Sequence, residues 1–278
     1  MATNPLHVDL KTATPLERVR YLMARLREPV YGCPWDLKQT HKTIAPFTIE
    51  EAYEVADAIL KGDTQHLREE LGDLMFQVVF YAQMAEEAKE FTWDEVLTGL
   101  ESKLVRRHPH VFPDGTLESR IQPGQTVSDE NIKGTWDKIK QEEKGPRNSA
   151  LDDIPASMAP LKRSQKLQKA AARIGFDWPS SREVIDKLEE ETHELREAVE
   201  SQDVDRIADE LGDMLFVLTN LARHYKLDAE TLMLNANIKF ERRFRYMEQW
   251  LVRQGLIAGE ATLDQMEDGW RAAKSEGL

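Results

Sequence analysis

The 278 residues hold a single cysteine, Cys33, which excludes an intrachain disulfide framework. Cys33 sits in Gly32-Cys33-Pro34-Trp35 with no cysteine or histidine ligand set beside it, and reads as a small buried residue rather than a nucleophile. No run of about 18 apolar residues occurs, so no membrane-spanning helix is expected. Met1 to Leu10 carries Asn4, Pro5, His7 and Asp9 where a signal peptide would need an apolar stretch. Basic charge is in deficit: 37 Lys and Arg face 50 Asp and Glu, for a net charge of −13. Such a surface repels nucleic-acid backbone. An anionic ligand is accommodated only where a metal ion and local basic residues reverse the field. The expectation is a soluble, cytoplasmic protein that engages neither membrane nor nucleic acid.

Strand alternation is also missing. With 41% hydrophobic and 31% charged residues, the chain can bury a core, and its apolar residues recur at helical spacing. Leu71, Leu74, Met75, Val78, Val79 and Ala82 follow the i, i+3, i+4, i+7 pattern, as do Leu211, Met214, Leu215, Leu218 and Ala222. The predicted fold is all-α, with helices starting near Thr14, Pro46, Thr64, Trp93, Ser128, Ala159, Ser181, Asp203, Asp228 and Thr262. Turn formers mark 113–124 as a loop. A second such stretch, from Gly145-Pro146-Arg147 to Pro155 and Pro160, divides the chain into domains 1–144 and 161–278 joined by a linker, 145–160.

The halves repeat each other. Glu50-Glu51-Ala52-Tyr53-Glu54 is followed by Glu70-Leu71-Gly72-Asp73; Glu190-Glu191-Thr192-His193-Glu194 is followed by Glu210-Leu211-Gly212-Asp213. The interval from Glu51 to Glu70 equals that from Glu191 to Glu210. Lys103, Arg106 and Arg107 then echo Lys239, Arg242 and Arg243, and Trp136 echoes Trp270. Four matched features in one order indicate a duplicated domain.

Glu51 and Glu54 share a helix face, and Glu70 and Asp73 share a face of the next helix. The short connection through Gly62 and Asp63 makes these helices antiparallel neighbours on which the four acids converge. The second set is Glu191, Glu194, Glu210 and Asp213. Glu70 and Asp73 flank the apolar stripe, so both are expected to be partly buried. Acids gathered in that way repel one another and require a cation. Oxygen ligands without cysteine select Mg²⁺ or Mn²⁺, and Lys239, Arg242 and Arg243 are candidates for phosphate oxygens. A lone Glu-x-x-Glu is usually a solvated face; two pairs on adjacent helices, repeated at equal spacing, are not. A di-iron site would use Glu-x-x-His, which Glu190 and His193 offer, but Tyr53 takes that place in the first half, so His193 reads as a surface residue, or one that supports the ligands from behind, rather than as a ligand. Gly72 and Gly212, each between two acids, suggest close helix approach, and Phe76, Phe80 and Phe216 are expected in the core.

Glu-Glu-x-x-Glu followed by Glu-x-x-Asp on consecutive helices resembles the all-α nucleoside triphosphate pyrophosphohydrolases. The tandem arrangement, with Arg106-Arg107-His108-Pro109-His110-Val111-Phe112, Gly175-Phe176-Asp177-Trp178-Pro179 and Lys239-Phe240-Glu241-Arg242-Arg243-Phe244, resembles the MazG type from about Leu16 to Trp270. The resemblance implies hydrolysis of NTPs and dNTPs to monophosphate and pyrophosphate by a homodimer whose protomers complete each other's helical bundles. It implies that Glu191, Glu194, Glu210 and Asp213 hold Mg²⁺. Lys187, Glu190, Lys239, Arg242, Arg243 and Trp270 would meet the nucleotide. The resemblance weights the second half as the active one, with Glu51, Glu54, Glu70 and Asp73 as a second possible metal site. His108-Pro109 departs from Phe244-Arg245 and should end the first-half helix there.

The expected chemistry is attack of water on the α-phosphoryl group, with Glu190 or Glu191 taking its proton and metal ions neutralising the attacking and leaving oxygens. Trp270 competes between a nucleotide platform and a core anchor. Two other readings of the same residues are a nucleotide-sensing regulatory protein without turnover and a helical scaffold with acidic faces for a basic partner.

Overall fold

Capping chemistry sets where the helices begin. Helix α1, Pro15–Leu26, opens on a capping box in which Thr14 accepts from the Glu17 amide and the Glu17 carboxylate accepts from the Thr14 amide at 2.7 Å. Helix α2, His41–Lys61, starts five residues ahead of Pro46, where the sequence placed it. Thr40 and Thr43 cap each other upstream, and a proline in the second turn forfeits only one hydrogen bond. Helices α3, Thr64–Ala88, and α4, Trp93–Arg107, are capped by Asp63 and Thr92. Then come α5, Pro160–Ala172; α6, Ser181–Ser201, capped by Ser180 rather than Ser181; α7, Val204–His224; α8, Ala229–Arg253; and α9, Leu263–Ser275. The computed structural model describes residues 5–121, 132, 134–136, 139, 143, 148–152 and 154–278, and no strand occurs among them. The helix start expected at Ser128, the turn at Gln122-Pro123-Gly124 and Gly145-Pro146-Arg147 lie outside the described residues. None of the described helices is long and apolar enough to cross a membrane.

The chain divides into two units, Met1–Gly145 and Pro146–Leu278. In the first, α2 packs along α3, and α1 and α4 lie against α3. In the second, α6 packs along α7, α5 lies against α7 and α8, and α9 lies on α8. The first core gathers Met23, Ile44, Val79, Phe80, Ala82, Met84 and Trp93, with Phe76 packed partly against it. Burying each large side chain there stabilises the unit by about 1.5–3 kcal/mol.

The burial corrects the predicted stripes. On α3 the core takes Val79, Phe80, Ala82, Met84 and Ala85, whereas Leu71, Met75 and Val78 are exposed. On α7 it takes Val217 and Ala222 and leaves Leu211, Leu215, Leu218 and Phe216 exposed, so Phe216 is not a core residue. Both helices are apolar over more than one face, and one chain covers only part of that surface. Most of α8 between Thr231 and Arg242 is likewise exposed, including Leu232, Ile238 and Phe240. Cys33 is half-buried rather than buried.

Two-residue connections join the paired helices. Gly62, at φ 68°, ends α2, and Gln202, at φ 58°, ends α6 in the same left-handed conformation. That conformation costs an L side chain about 1–2 kcal/mol. Replacing Gln202 with glycine should therefore stabilise the protein by about 1 kcal/mol, measured by urea unfolding, whereas Gly62→Gln should destabilise it by a similar amount.

Candidate metal centre

The antiparallel pairs do bring the acids together. In the first unit, oxygens of Glu51, Glu70 and Asp73 lie within 4.8 Å of one another; in the second, oxygens of Glu191, Glu194 and Glu210 do. Each group holds three of the four expected acids. Glu54 stands outside the first group and Asp213 outside the second. Glu70 and Glu191 are buried and Glu51, Glu194 and Glu210 half-buried; Asp213 is exposed, and so is Asp73, against the expectation of its partial burial. A Cβ at Gly72 or at Gly212 would meet nothing within 4 Å, so no close helix approach within either unit explains these glycines.

The electrostatics follow from crowding. Burial and then the neighbouring carboxylates, Asp73 and Glu54 for Glu51 and chiefly Glu54 for Glu70, raise both pKa values above the ordinary range. Burial, Glu194 and Glu191 do the same for Glu210, against a smaller opposing effect of Arg206. Lys187 donates to Glu190 Oε1 at 2.7 Å and reaches Glu191 Oε1 at 2.8 Å. These carboxylates hold its ammonium well above the usual lysine range. Glu191 Oε2 is buried with no hydrogen-bond partner, a cost that a bound cation would remove. An all-oxygen set with an orphaned carboxylate oxygen fits a hard divalent ion.

The basic residues divide the two units. Arg106 donates to Glu143 at 2.8 Å through Nε, and Arg107 pairs with the same carboxylate. The two guanidiniums depress Glu143 to about 2. Helix α4 stops at Arg107, just ahead of His108-Pro109, and His108 rests against Trp136 at 6.0 Å. In the second unit, α8 continues to Arg253. Lys239 and Arg242 are exposed and make no ion pair among the described residues. Arg243 donates to the Leu278 backbone oxygen at 2.6 Å and lies over the Trp270 ring at 6.0 Å, and Phe240 packs on that ring at 5.4 Å. No contact within the chain joins Lys239, Arg242 or Trp270 to the carboxylates among the described residues. The first unit also has Phe47, packed edge-on against Trp35, at the place of Lys187. His193 is exposed and pairs with Glu197, a surface residue as expected.

Sequence reasoning missed Glu143, because it falls outside the repeated features. The absence of Lys187 from the first unit was legible in the aligned motif, where Phe47 replaces it.

The sequence profile of the MazG nucleotide pyrophosphohydrolase domain matches this chain twice, at residues 39–112 and 180–247. The chain belongs to the MazG family. A protein of Escherichia coli strain K12, named nucleoside triphosphate pyrophosphohydrolase, is 45% identical over 267 residues, 94% of this chain and 97% of that one. One of Thermotoga maritima, named nucleoside triphosphate pyrophosphohydrolase/pyrophosphatase MazG, is 38% identical over 259 residues, 93% of this chain and 95% of its own. A nucleoside triphosphate pyrophosphohydrolase of Mycobacterium tuberculosis is 37% identical over 145 residues, 51% of this chain and 41% of its own. Each MazG match spans one of the two acidic clusters, and neither reaches Glu143 or Trp270.

The raised pKa of Glu210 gives a sign-determined test. A carboxylate with a raised folded-state pKa opposes folding when charged; the penalty is complete above that pKa and vanishes below the unfolded value near 4.5. In chelator at pH 7.5, Glu210→Gln should melt higher than the wild type. The gap should close as pH falls toward 4.5, and saturating Mg²⁺ at pH 7.5 should raise the melting temperature of the wild type only. A gap independent of pH would contradict the repulsion.

Proposed function

We propose that this chain is a Mg²⁺-dependent nucleoside triphosphate pyrophosphohydrolase, converting NTPs and dNTPs to monophosphates and pyrophosphate with broad base specificity, in cytoplasmic nucleotide-pool control. The observation that carries this is the gathered oxygens of Glu191, Glu194 and Glu210 with the unpartnered buried Oε2 of Glu191, in a chain whose relatives bear that activity in their names. Catalysis belongs to the second unit, where the basic residues are not consumed by a carboxylate.

Glu191, Glu194 and Glu210 hold the cation, with Asp213 joining them from the exposed side. Bound there, Mg²⁺ or Mn²⁺ supplies charge neutralisation to the attacking and leaving oxygens. Glu190 is exposed and oriented by Lys187. It is the carboxylate left outside the ligand group, and it takes the proton of the attacking water as the bond between the α-phosphorus and the bridging oxygen breaks. Lys239 and Arg242 meet the negative charge that moves onto the departing pyrophosphate, and Arg243, held against Trp270, flanks the nucleotide. Glu51, Glu54, Glu70 and Asp73 form a second cation site of binding or structural use.

A homodimer completes this arrangement. The exposed Leu71, Met75 and Val78 of α3, and Leu215 and Leu218 of α7, are the faces that a second copy would cover. Between α7 and α8, Leu215, Leu218, Leu232 and Met233 line an apolar groove of about 400 Å³. A partner seated on these faces would bring basic residues of α8 toward the acids of the other protomer.

ATP incubated with Mg²⁺ in ¹⁸O-water should yield AMP and pyrophosphate, with the label in AMP. ADP with phosphate would overturn the reading, and tight binding without turnover would favour the regulatory one. Glu194→Gln should lower kcat/KM at least about 100-fold, while Glu54→Gln leaves turnover within about twofold; equal losses would contradict the assignment to the second unit. Sedimentation should give twice the mass of one chain, and Leu215→Glu should shift it to one chain.

A further inference from the structure

The duplicated domain allows each unit to be measured against the other. The repeat sets Gln77 of α3 against Val217 of α7, Phe47 against Lys187, and His66 against Arg206. Val217 is 3% exposed, an apolar residue at a buried place. Gln77 is also buried, at 8% exposure, yet it carries an amide. It lies four residues after Asp73 and seven after Glu70, the spacing of one helix face, so it shares a face with two acids of the first cluster. Across the helix pair its Nε2 donates to Glu51 Oε1 at 3.4 Å. Its Oε1, about 2.3 Å from that nitrogen within the amide, is buried with no hydrogen-bond partner.

An amide oxygen buried without a donor is destabilising, and so is a carboxylate crowded by burial and by its neighbours. The second unit relieves its cluster internally: Lys187 reaches Glu191 at 2.8 Å, and Arg206 lies 4.0 Å from Glu210. The first unit has neither cation. Phe47 carries no charge, and no lysine or arginine pairs with Glu51, Glu70 or Asp73 among the described residues. His66, 3.2 Å from Glu70, is charged only when protonated. The orphaned amide oxygen and the unrelieved carboxylates have one remedy in common, because a hard cation takes oxygens of both kinds.

We propose that the first unit holds a resident divalent cation of the size of Ca²⁺, bound without nucleotide, with Gln77 Oε1 joining Glu51, Glu70 and Asp73 as a ligand. The donor set argues for the larger ion. Ca²⁺ takes about six to eight oxygens in a flexible arrangement, amide carbonyls among them, whereas Mg²⁺ keeps several waters and is held by one or two carboxylates together with substrate phosphate. Three carboxylates and an amide make a cage that the protein supplies alone. The second unit has Val217 in place of the amide and Lys187 against Glu191, which leaves a poorer shell for a polyphosphate to complete. The inference rests on the reading of the first cluster as a cation site and deepens it; hydrolysis in the second unit is independent of it.

A full-length parent carrying Glu194→Gln and Glu210→Gln isolates the first unit's site. Calorimetry on it at pH 7.5, without nucleotide, should show one Ca²⁺ per chain, bound about tenfold or more tighter than Mg²⁺. Adding Gln77→Val, the second unit's own residue, should weaken Ca²⁺ at least about tenfold. Melting supplies a readout that a packing defect would not reverse. In chelator Gln77→Val should melt at or above the parent, because an orphaned amide is gone; in saturating Ca²⁺ it should melt below it. If Gln77→Val does not fold by circular dichroism, Gln77→Glu serves instead. It keeps an oxygen and adds repulsion, so it should melt lower in chelator and bind Ca²⁺ at least as tightly as the parent. No ion on the parent, Mg²⁺ bound as tightly as Ca²⁺, unchanged Ca²⁺ affinity in folded Gln77→Val, or weaker Ca²⁺ binding by Gln77→Glu overturns the proposal. Pyrophosphate release from ATP and Mg²⁺ by the wild type, alongside any of these, leaves the hydrolase reading standing; resident Ca²⁺ without such release sinks that reading and leaves the proposal.

Discussion

Repulsion among carboxylates is the constraint around which each unit is organised. Two long antiparallel helices, tied by a two-residue connection, hold three acids with oxygens within 4.8 Å of one another. Burial and mutual proximity raise the pKa values of Glu51, Glu70 and Glu210. A fold that pays this cost twice, without enough internal cations to relieve it, is arranged for something from outside. In the second unit Lys187 relieves one oxygen of Glu191 and leaves the other buried and unpaired.

The duplication then shows which features that constraint shares and which have diverged. Both units keep the acids, the left-handed helix junction and the aspartate cap that follows it. They differ at several of the places proposed to meet a nucleotide. The first unit has Phe47 for Lys187, Glu143 across Arg106 and Arg107, and a proline after its basic pair. The second has an uninterrupted α8 with exposed Lys239 and Arg242. One unit is built to hold its shape around a cluster; the other leaves basic charge unspent.

Much of the fold was legible because its signals are local. Thr14, Asp203, Asp228 and Thr262 cap helices where the sequence marks them, since a cap needs only the next three residues. The start of α2 was misplaced because Pro46 reads as a boundary, while the Thr40–Thr43 pair that overrides it is quieter. The apolar periodicity announced the helices correctly but not which face is inside. Leu71, Met75 and Leu215 share the spacing of core residues and lie exposed, because α3 and α7 carry more apolar surface than one chain covers. Phe216 failed as a core prediction for the same reason.

The sequence by itself determined the all-α class, the duplication and the identity of the acids, because helical spacing fixes which side chains share a face, and equal intervals in two halves leave little to chance. The tertiary structure decided which acids come close enough to share an ion. It also decided that Glu143 ties up one basic pair while its counterpart stays exposed, and that the Gln77 amide meets Glu51 across the helix pair. These depend on distances between residues far apart in the chain, which spacing along a helix does not encode.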